Sequence, residues 1–196
     1  MSNTTIINRC QICKKKTIKV LSLGFHPLCD DLIKINSKKK NQEYPIIIQY
    51  CKSCRTAFQK HQIKKEILFP KSYHYRARLT NDVINGQKDL IKDIKKNYKS
   101  LKGKKVLDIG CNDGTLLDNF KKEKAITIGI EPTNAYKDAS KKHKIYNSYL
   151  NRKVCNKILK EFGNVDFITF TNVFAHINDL SELLNNLLKL VSKDTT

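Results

Sequence analysis

The sequence predicts an α/β protein, with about four strands of a parallel sheet preceded by a small β-rich unit. Three observations carry that expectation. The first is the run Lys105-Val106-Leu107-Asp108-Ile109-Gly110-Cys111-Asn112-Asp113-Gly114, a short apolar strand entering a glycine-containing turn ahead of a helix. The second is Ile128-Gly129-Ile130-Glu131-Pro132, another apolar strand that ends in a carboxylate. The third is a doubled cysteine pattern near the N-terminus, Cys10-x-x-Cys13 and Cys51-x-x-Cys54.

From residue 105 onward, apolar runs alternate with amphipathic stretches. Strands are expected at Lys105–Ile109, Ala125–Ile130 and Val165–Phe170, with a weak one near Ile145–Tyr146. Helices are expected near Thr115–Lys122, Ala135–Lys142, Lys153–Phe162 and Leu180–Leu190. Such alternation gives a parallel sheet with right-handed crossovers. Glu131 lies 21 positions after Gly110 (131 minus 110). That spacing puts an acid at the tip of the neighbouring strand, where it can accept hydrogen bonds from ribose hydroxyls. Glycine lets the turn bend sharply and approach a ligand closely, so this half of the chain reads as a nucleoside-cofactor site. A dinucleotide site is set aside, because its G-x-G-x-x-G fingerprint needs glycine where Asn112 stands. A P-loop is excluded because no G-K-[ST] follows Gly114.

Residues 1–70 form the first unit. Two strand-like runs, Ile18–Leu23 and Tyr44–Tyr50, flank a loop with Gly24, Pro27 and the polar tract Asn36–Gln42. Seven cysteines behind an N-terminus with no secretion pattern read as metal ligands rather than disulfides. Four thiolates from Cys10, Cys13, Cys51 and Cys54 suit tetrahedral Zn²⁺, with His26 or His61 as weaker substitute ligands. A structural zinc is worth roughly 10–16 kcal/mol of apparent binding energy, enough to hold a unit with a small core. Residues 71–104 are read as linker and helix. Lys71–Thr80 is dense in Tyr, His and Arg; Thr80 is the expected N-cap. Val83, Ile84, Leu90, Ile91, Ile94, Tyr98 and Leu101 then recur at helical spacing. Residues 105–196 carry the sheet.

The net charge of +20 raises the question of nucleic acid. Only five of the 38 basic residues are arginine, and there is no tryptophan. Phosphate-clamping and base-stacking surfaces favour arginine and interleaved aromatics, so nucleic-acid binding is not expected. The charge could still draw in a phosphorylated substrate. Mean hydropathy is −0.49, and no apolar run approaches the ~20 residues of a membrane-spanning helix. Met1 to Ile7 lacks a basic-then-apolar leader. A soluble, cytoplasmic protein is expected.

The pattern D-x-G-x-x-x-G, Asp108 to Gly114, resembles motif I of class I S-adenosylmethionine (SAM) methyltransferases. The cysteine pairs, Leu23-Gly24…Pro27-Leu28, the Tyr-rich linker, that motif and Asn172-Val173-Phe174-Ala175-His176 occur in this order. Together they resemble the C-methyltransferases of nucleotide-activated deoxysugar biosynthesis, over nearly the whole chain. The resemblance implies a class I Rossmann-like sheet, SAM and Zn²⁺ as cofactors, and methyl transfer to a carbon beside a keto group on a nucleotide-diphosphate sugar. It implies cofactor contacts from Gly110 and Glu131, then from Asp108, Asn112 and Gly114. Pro132 is expected beside the adenine, whose edge would lie near Asn147-Ser148, and Asn172 near cofactor or substrate. His176 and Tyr75, or Tyr73, are the implied active-site residues. A class I sheet has seven strands, and the family's Glu-His base after the fifth has no counterpart before Thr196. The expectation is therefore an N-terminal part of such an enzyme, inactive alone and in need of a further segment or partner chain. An RNA or protein methyltransferase with a zinc ribbon, and a non-catalytic zinc module, are the alternatives.

Overall fold

The computed structural model describes residues 3–196. It divides into two compact units, one ending at Leu68 and the other beginning at Phe69. The strands of the first are β1 (Thr4–Ile6), β2 (Ile18–Pro27), β3 (Glu43–Cys51), β4 (Thr56–Gln59) and β5 (His61–Ile63), followed by the one-turn helix α1 (Lys65–Leu68). β1 pairs antiparallel with β5, while β2, β3 and β4 form an antiparallel sheet in that order. β2 runs past the expected stop at Leu23. Two register shifts, at Lys19/Leu21 and Ser22/Gly24, carry the ladder to Pro27, and Gly24 at φ +81° supplies the left-handed residue there. β1, β4 and β5 have three or four residues each, too few to show a period in sequence.

The second unit opens with α2 (Asn81–Asn97) and then alternates: β6 (Lys105–Ile109), α3 (Thr115–Lys122), β7 (Ile126–Ile130), α4 (Tyr136–Ala139), β8 (Lys144–Tyr146), α5 (Arg152–Phe162), β9 (Phe167–Thr169) and α6 (Leu180–Leu187). The four strands are parallel, in spatial order β8-β7-β6-β9. The order reverses at β6, and open α/β sheets bind ligands beyond the strand ends at such a switch point.

β6 is buried at four successive positions, Val106 to Ile109, because both of its faces are covered. Val106 packs with Ile91, Leu101, Leu116, Leu117, Phe120 and Phe167. Leu107 and Ile109 face the other way, among Ile128, Ile130, Val154, Ile158, Val165 and Leu190. This two-sided burial fixes the height of the β6 tip and hence of the turn after it.

Helix ends follow their caps. Asn151 Oδ1 accepts from Val154 N at 3.0 Å, and Asp179 Oδ1 accepts from Glu182 N at 2.9 Å. Thr80 stands at the expected N-cap position of α2 with extended backbone, though its side chain makes no capping bond. α4 stops at Ala139, three residues early. The Ala139 carbonyl accepts from both Lys142 N and His143 N, each at 3.1 Å, and the chain turns to bury His143 against Thr127, 2.8 Å away. Among the described residues no helix is long and apolar enough to cross a membrane.

Gly129, mid-strand in β7, has no space for a side chain. An added Cβ would lie 2.5 Å from Cys111 Sγ and 2.6 Å from Ile145 Cδ1. Gly129→Ala is expected to cost about 1–3 kcal/mol through overpacking. A urea titration checks this: the midpoint falls at constant m, and an added Cys111→Ala recovers part of the loss. An unchanged midpoint would show that the sheet relaxes freely at this point.

Candidate functional site

In the first unit the Sγ atoms of Cys10, Cys13, Cys51 and Cys54 all lie within 4.8 Å of one another. Cys10 Sγ is 3.3 Å from Cys54 Sγ, and Cys13 Sγ is 3.4 Å from Cys51 Sγ. A tetrahedral ion with Zn–S bonds of ~2.3 Å needs sulfur–sulfur edges of about 3.8 Å, inside this range. The residue after each pair is left-handed, Lys14 at φ +60° and Arg55 at φ +55°, so both loops curl the same way around their sulfurs.

The protons are unevenly shared among these thiols. Burial works against ionising Cys10, but backbone N–H groups of Cys13 and Ile12 and the Cys54 sulfur outweigh it and bring the thiol down to about 6. The Cys54 N–H likewise lowers Cys51. At Cys13 a Lys15 N–H is outweighed by burial and the neighbouring sulfurs, and the thiol rises to about 11. Thiolate is the form that ligates zinc. His26 bonds the Leu23 carbonyl at 2.7 Å instead, and the cluster is made of cysteines alone.

In the second unit the turn after β6 folds back on the end of β7. Gly110, at φ +72°, and Cys111 donate their N–H groups to the Ile130 carbonyl, at 2.8 and 3.1 Å. Asn112 N donates to Glu131 Oε2 at 2.9 Å. Thr133 N and Oγ1 donate to Glu131 Oε1, at 2.8 and 2.6 Å. Three donors thus hold a carboxylate that is only 4% exposed. Asn147 Nδ2 bonds the carbonyls of Glu131 and Pro132, at 2.8 and 3.1 Å, fixing the chain beyond the acid.

Asp108 lies behind this turn. Thr169 Oγ1 donates to its Oδ1 at 2.7 Å across the β6–β9 switch point. Burial pushes the Asp108 carboxyl up to about 7; the Thr169 hydroxyl opposes the rise and the Glu131 charge adds to it. A Cβ on Gly110 would stand 2.5 Å from Val173 Cγ2, on the segment after β9. Asn172, just before it, is left-handed at φ +56° and exposed. Gly114 is left-handed too, and its open side faces Ala139 and His143, each 3.0 Å from an added Cβ.

The expected active-site side chains meet through a residue the sequence did not single out, Phe69. Its ring lies edge-on to His176 at 5.2 Å and to Tyr73 at 5.5 Å, and Tyr73 is 6.4 Å from Tyr75. Tyr75 is tied to the glycine turn, because Asn112 Nδ2 donates to its carbonyl at 3.1 Å. Asn112 Oδ1 meanwhile accepts from Ala77 N at 3.0 Å. Sequence reasoning also passed over Asp113 and Arg78, which form a close ion pair (Nε to Oδ2, 2.9 Å) with the Asp113 side chain fully buried. The available signal was compositional. In a chain so rich in lysine, arginines at 76 and 78 mark positions that need a planar, multidentate donor.

Comparison with known proteins matches residues 83–196 to the family described as "Methyltransferase domain", and residues 10–69 to a domain described as "Putative zinc binding domain". The chain belongs to the methyltransferase-domain family. It is 22% identical to the C-methyltransferase NovU of Streptomyces niveus over 192 residues, 96% of this chain and 46% of that protein. It is 30% identical to the ubiquinone biosynthesis O-methyltransferase of Coxiella burnetii over 95 residues, 47% of this chain and 41% of that one. The chain therefore spans less than half the length of these relatives. Among solved structures, the plantazolicin methyltransferase BpumL with a pentazolic desmethylPZN analog and SAH aligns at TM-score 0.46 and 22% identity. That alignment covers 59% of this chain and 45% of that one.

Two predictions follow from the two centres of this methyltransferase-family chain. Cys51→Ser should reduce bound zinc from one per chain to near zero, measured by metal analysis. It should also abolish the thermal transition of the N-terminal unit while the sheet's transition survives. Asp108 sets a pH dependence. Between 3.8 and about 7 the folded chain binds this proton and the unfolded chain does not. The stability that accompanies the neutral acid is therefore present at low pH and lost as pH rises through about 7. Asp108→Asn keeps an acceptor for Thr169 and removes the titration. Its melting temperature should gain several degrees or more on wild type as pH rises across that window, with linkage setting an upper scale of about 4 kcal/mol. Parallel melting curves would refute the assignment.

Proposed function

We propose that this chain binds SAM and serves methyl transfer to a carbon beside the keto group of a nucleotide-activated deoxysugar. The observation that carries the cofactor assignment is the 2.9 Å bond from Asn112 N to Glu131 Oε2. It sets a glycine turn and an acid side by side at the tips of adjacent parallel strands, the arrangement that cradles a nucleoside at a switch point. Bound there, SAM supplies an electrophilic methyl group on a sulfonium.

The chain's own residues do the holding. Glu131 takes the ribose hydroxyls on lone pairs that Asn112 and Thr133 leave open. Gly110 gives the close approach, with Asp108 and Gly114 shaping the turn from behind. Pro132 borders the adenine, and Asn172 lies toward the transferring group.

On the acceptor, a C–H next to a carbonyl must lose its proton to a base, and the enolate oxygen needs a donor as its charge grows. His176 is exposed after β9, at the carboxyl edge of the sheet, and is assigned to holding or relaying that proton. The Tyr75 hydroxyl, with Tyr73 beside it, is assigned to the oxygen. The net charge of +20 favours an acceptor bearing a diphosphate. Transfer to carbon is supported by the extent of similarity. The NovU match runs through the cysteine unit as well as the sheet, whereas the O-methyltransferase match covers 95 residues.

Calorimetry tests the cofactor assignment. S-adenosylhomocysteine should give a binding isotherm and NAD none, and Glu131→Gln should weaken binding about tenfold or more by pointing an amide at Asn112 N. Tight NAD binding without any response to S-adenosylhomocysteine would sink it. For the acceptor, line broadening of a nucleotide-diphosphate keto-deoxysugar by the SAM-loaded chain, absent with a catechol, is the expected NMR result. The reverse preference would favour O-methylation.

A further inference from the structure

The segment from Lys71 to Leu79 bridges the two turns assigned to the cofactor. The Lys71 carbonyl accepts from Asn134 N, just past the acid turn, at 2.9 Å. Arg76 Nη1 donates to the Tyr73 and Tyr75 carbonyls at 3.1 and 2.9 Å, while its Nε reaches Asp138 at 3.1 Å. Asn112 then grips both the Tyr75 carbonyl and Ala77 N. Finally Arg78 contacts Asp113 three times: its backbone N and Nε to Oδ2 at 3.1 and 2.9 Å, and Nη2 to the backbone carbonyl at 2.6 Å.

Asn112 joins the two sides. Its backbone N–H serves Glu131, and its side chain serves the strap that carries Tyr75. It does so at φ +50°, a left-handed conformation that asparagine tolerates better than most residues. The next residue, Asp113, is pinned by Arg78 from the strap and by Thr115 N and Oγ1 from the start of α3.

We infer that Arg78, acting through Asp113 and Asn112, locks the tyrosine-bearing strap to the glycine turn, so that filling the cofactor site and presenting Tyr75 to the acceptor are a single event. Arg78 is thus a positioning residue. The inference rests on the cofactor assignment made above. Lysine cannot replace it, because one ammonium cannot reach the carboxylate and the backbone carbonyl of Asp113 in the geometry of a planar fork.

The test uses the zinc-loaded full chain, S-adenosylhomocysteine as probe, and chymotrypsin cleavage after Tyr73 and Tyr75 as readout. Saturating S-adenosylhomocysteine should slow cleavage of the wild type about tenfold by linkage. Arg78→Lys and Arg78→Ala should retain their zinc, secondary structure and measurable S-adenosylhomocysteine binding, while protection drops below about twofold. Lys92→Ala, which removes an exposed pair with Asp89 on α2, should leave protection intact. If Arg78→Ala fails to fold, Arg78→Lys carries the comparison. Full protection in a folded Arg78 variant, or a wild type that binds S-adenosylhomocysteine without protection, would overturn the coupling alone. A wild type that binds none would instead overturn the cofactor assignment.

Discussion

A buried glutamate with no cationic side chain among its bonded partners holds the centre of the second unit. Glu131 is satisfied by two backbone N–H groups and one hydroxyl, and one of those N–H groups belongs to the turn of the neighbouring strand. The bond can form because β6 and β7 pair in parallel up to Ile109 and Ile130, which brings both tips to the same height. An unpaired carboxylate at that depth would cost several kcal/mol, so the turn, the acid and the strand register have to be assembled together.

Three acids surround the turn, and each is accommodated differently. Asp108 keeps its proton up to about 7 because it is buried with a single hydroxyl partner and feels the Glu131 charge. Glu131 relies on preorganised dipoles. Asp113, fully buried as a side chain, has a guanidinium and the first turn of α3 beside it; burial would raise its carboxyl, but these donors hold it below the ordinary value. Negative charge beside the turn thus rests on Glu131 and on Asp113, the latter paired with Arg78, while Asp108 stays neutral up to about 7 and so does not add a third charge below that pH.

The first unit solves a different problem. Its buried apolar set is short, chiefly Tyr44 and Ile63 beside the cysteines, and every residue of β2 is exposed. A module with so little core depends on a cross-link, and the four-cysteine cluster supplies one at the base of the β3–β4 turn. The two units are thus held by unlike means, one by a metal-sized cage of sulfurs and the other by a sheet covered on both faces.

Periodicity alone determined much of this protein. The bounds of β6 and α3, the parallel alternation, the glycine turn with its distant acid, and the paired cysteines were all legible, because each depends on local spacing or on burial that repeats along one element. The short elements β1, β4, β5 and α1 of the first unit were not legible, since a run of three or four residues outside the βα alternation carries no period. Nor were Phe69, the Arg78–Asp113 lock, the Thr169 partner of Asp108, or the use of the Asn112 side chain to grip Tyr75. Those partners lie 35 to 107 positions apart in the chain, and only the folding of the sheet decides which side chains arrive at the same place.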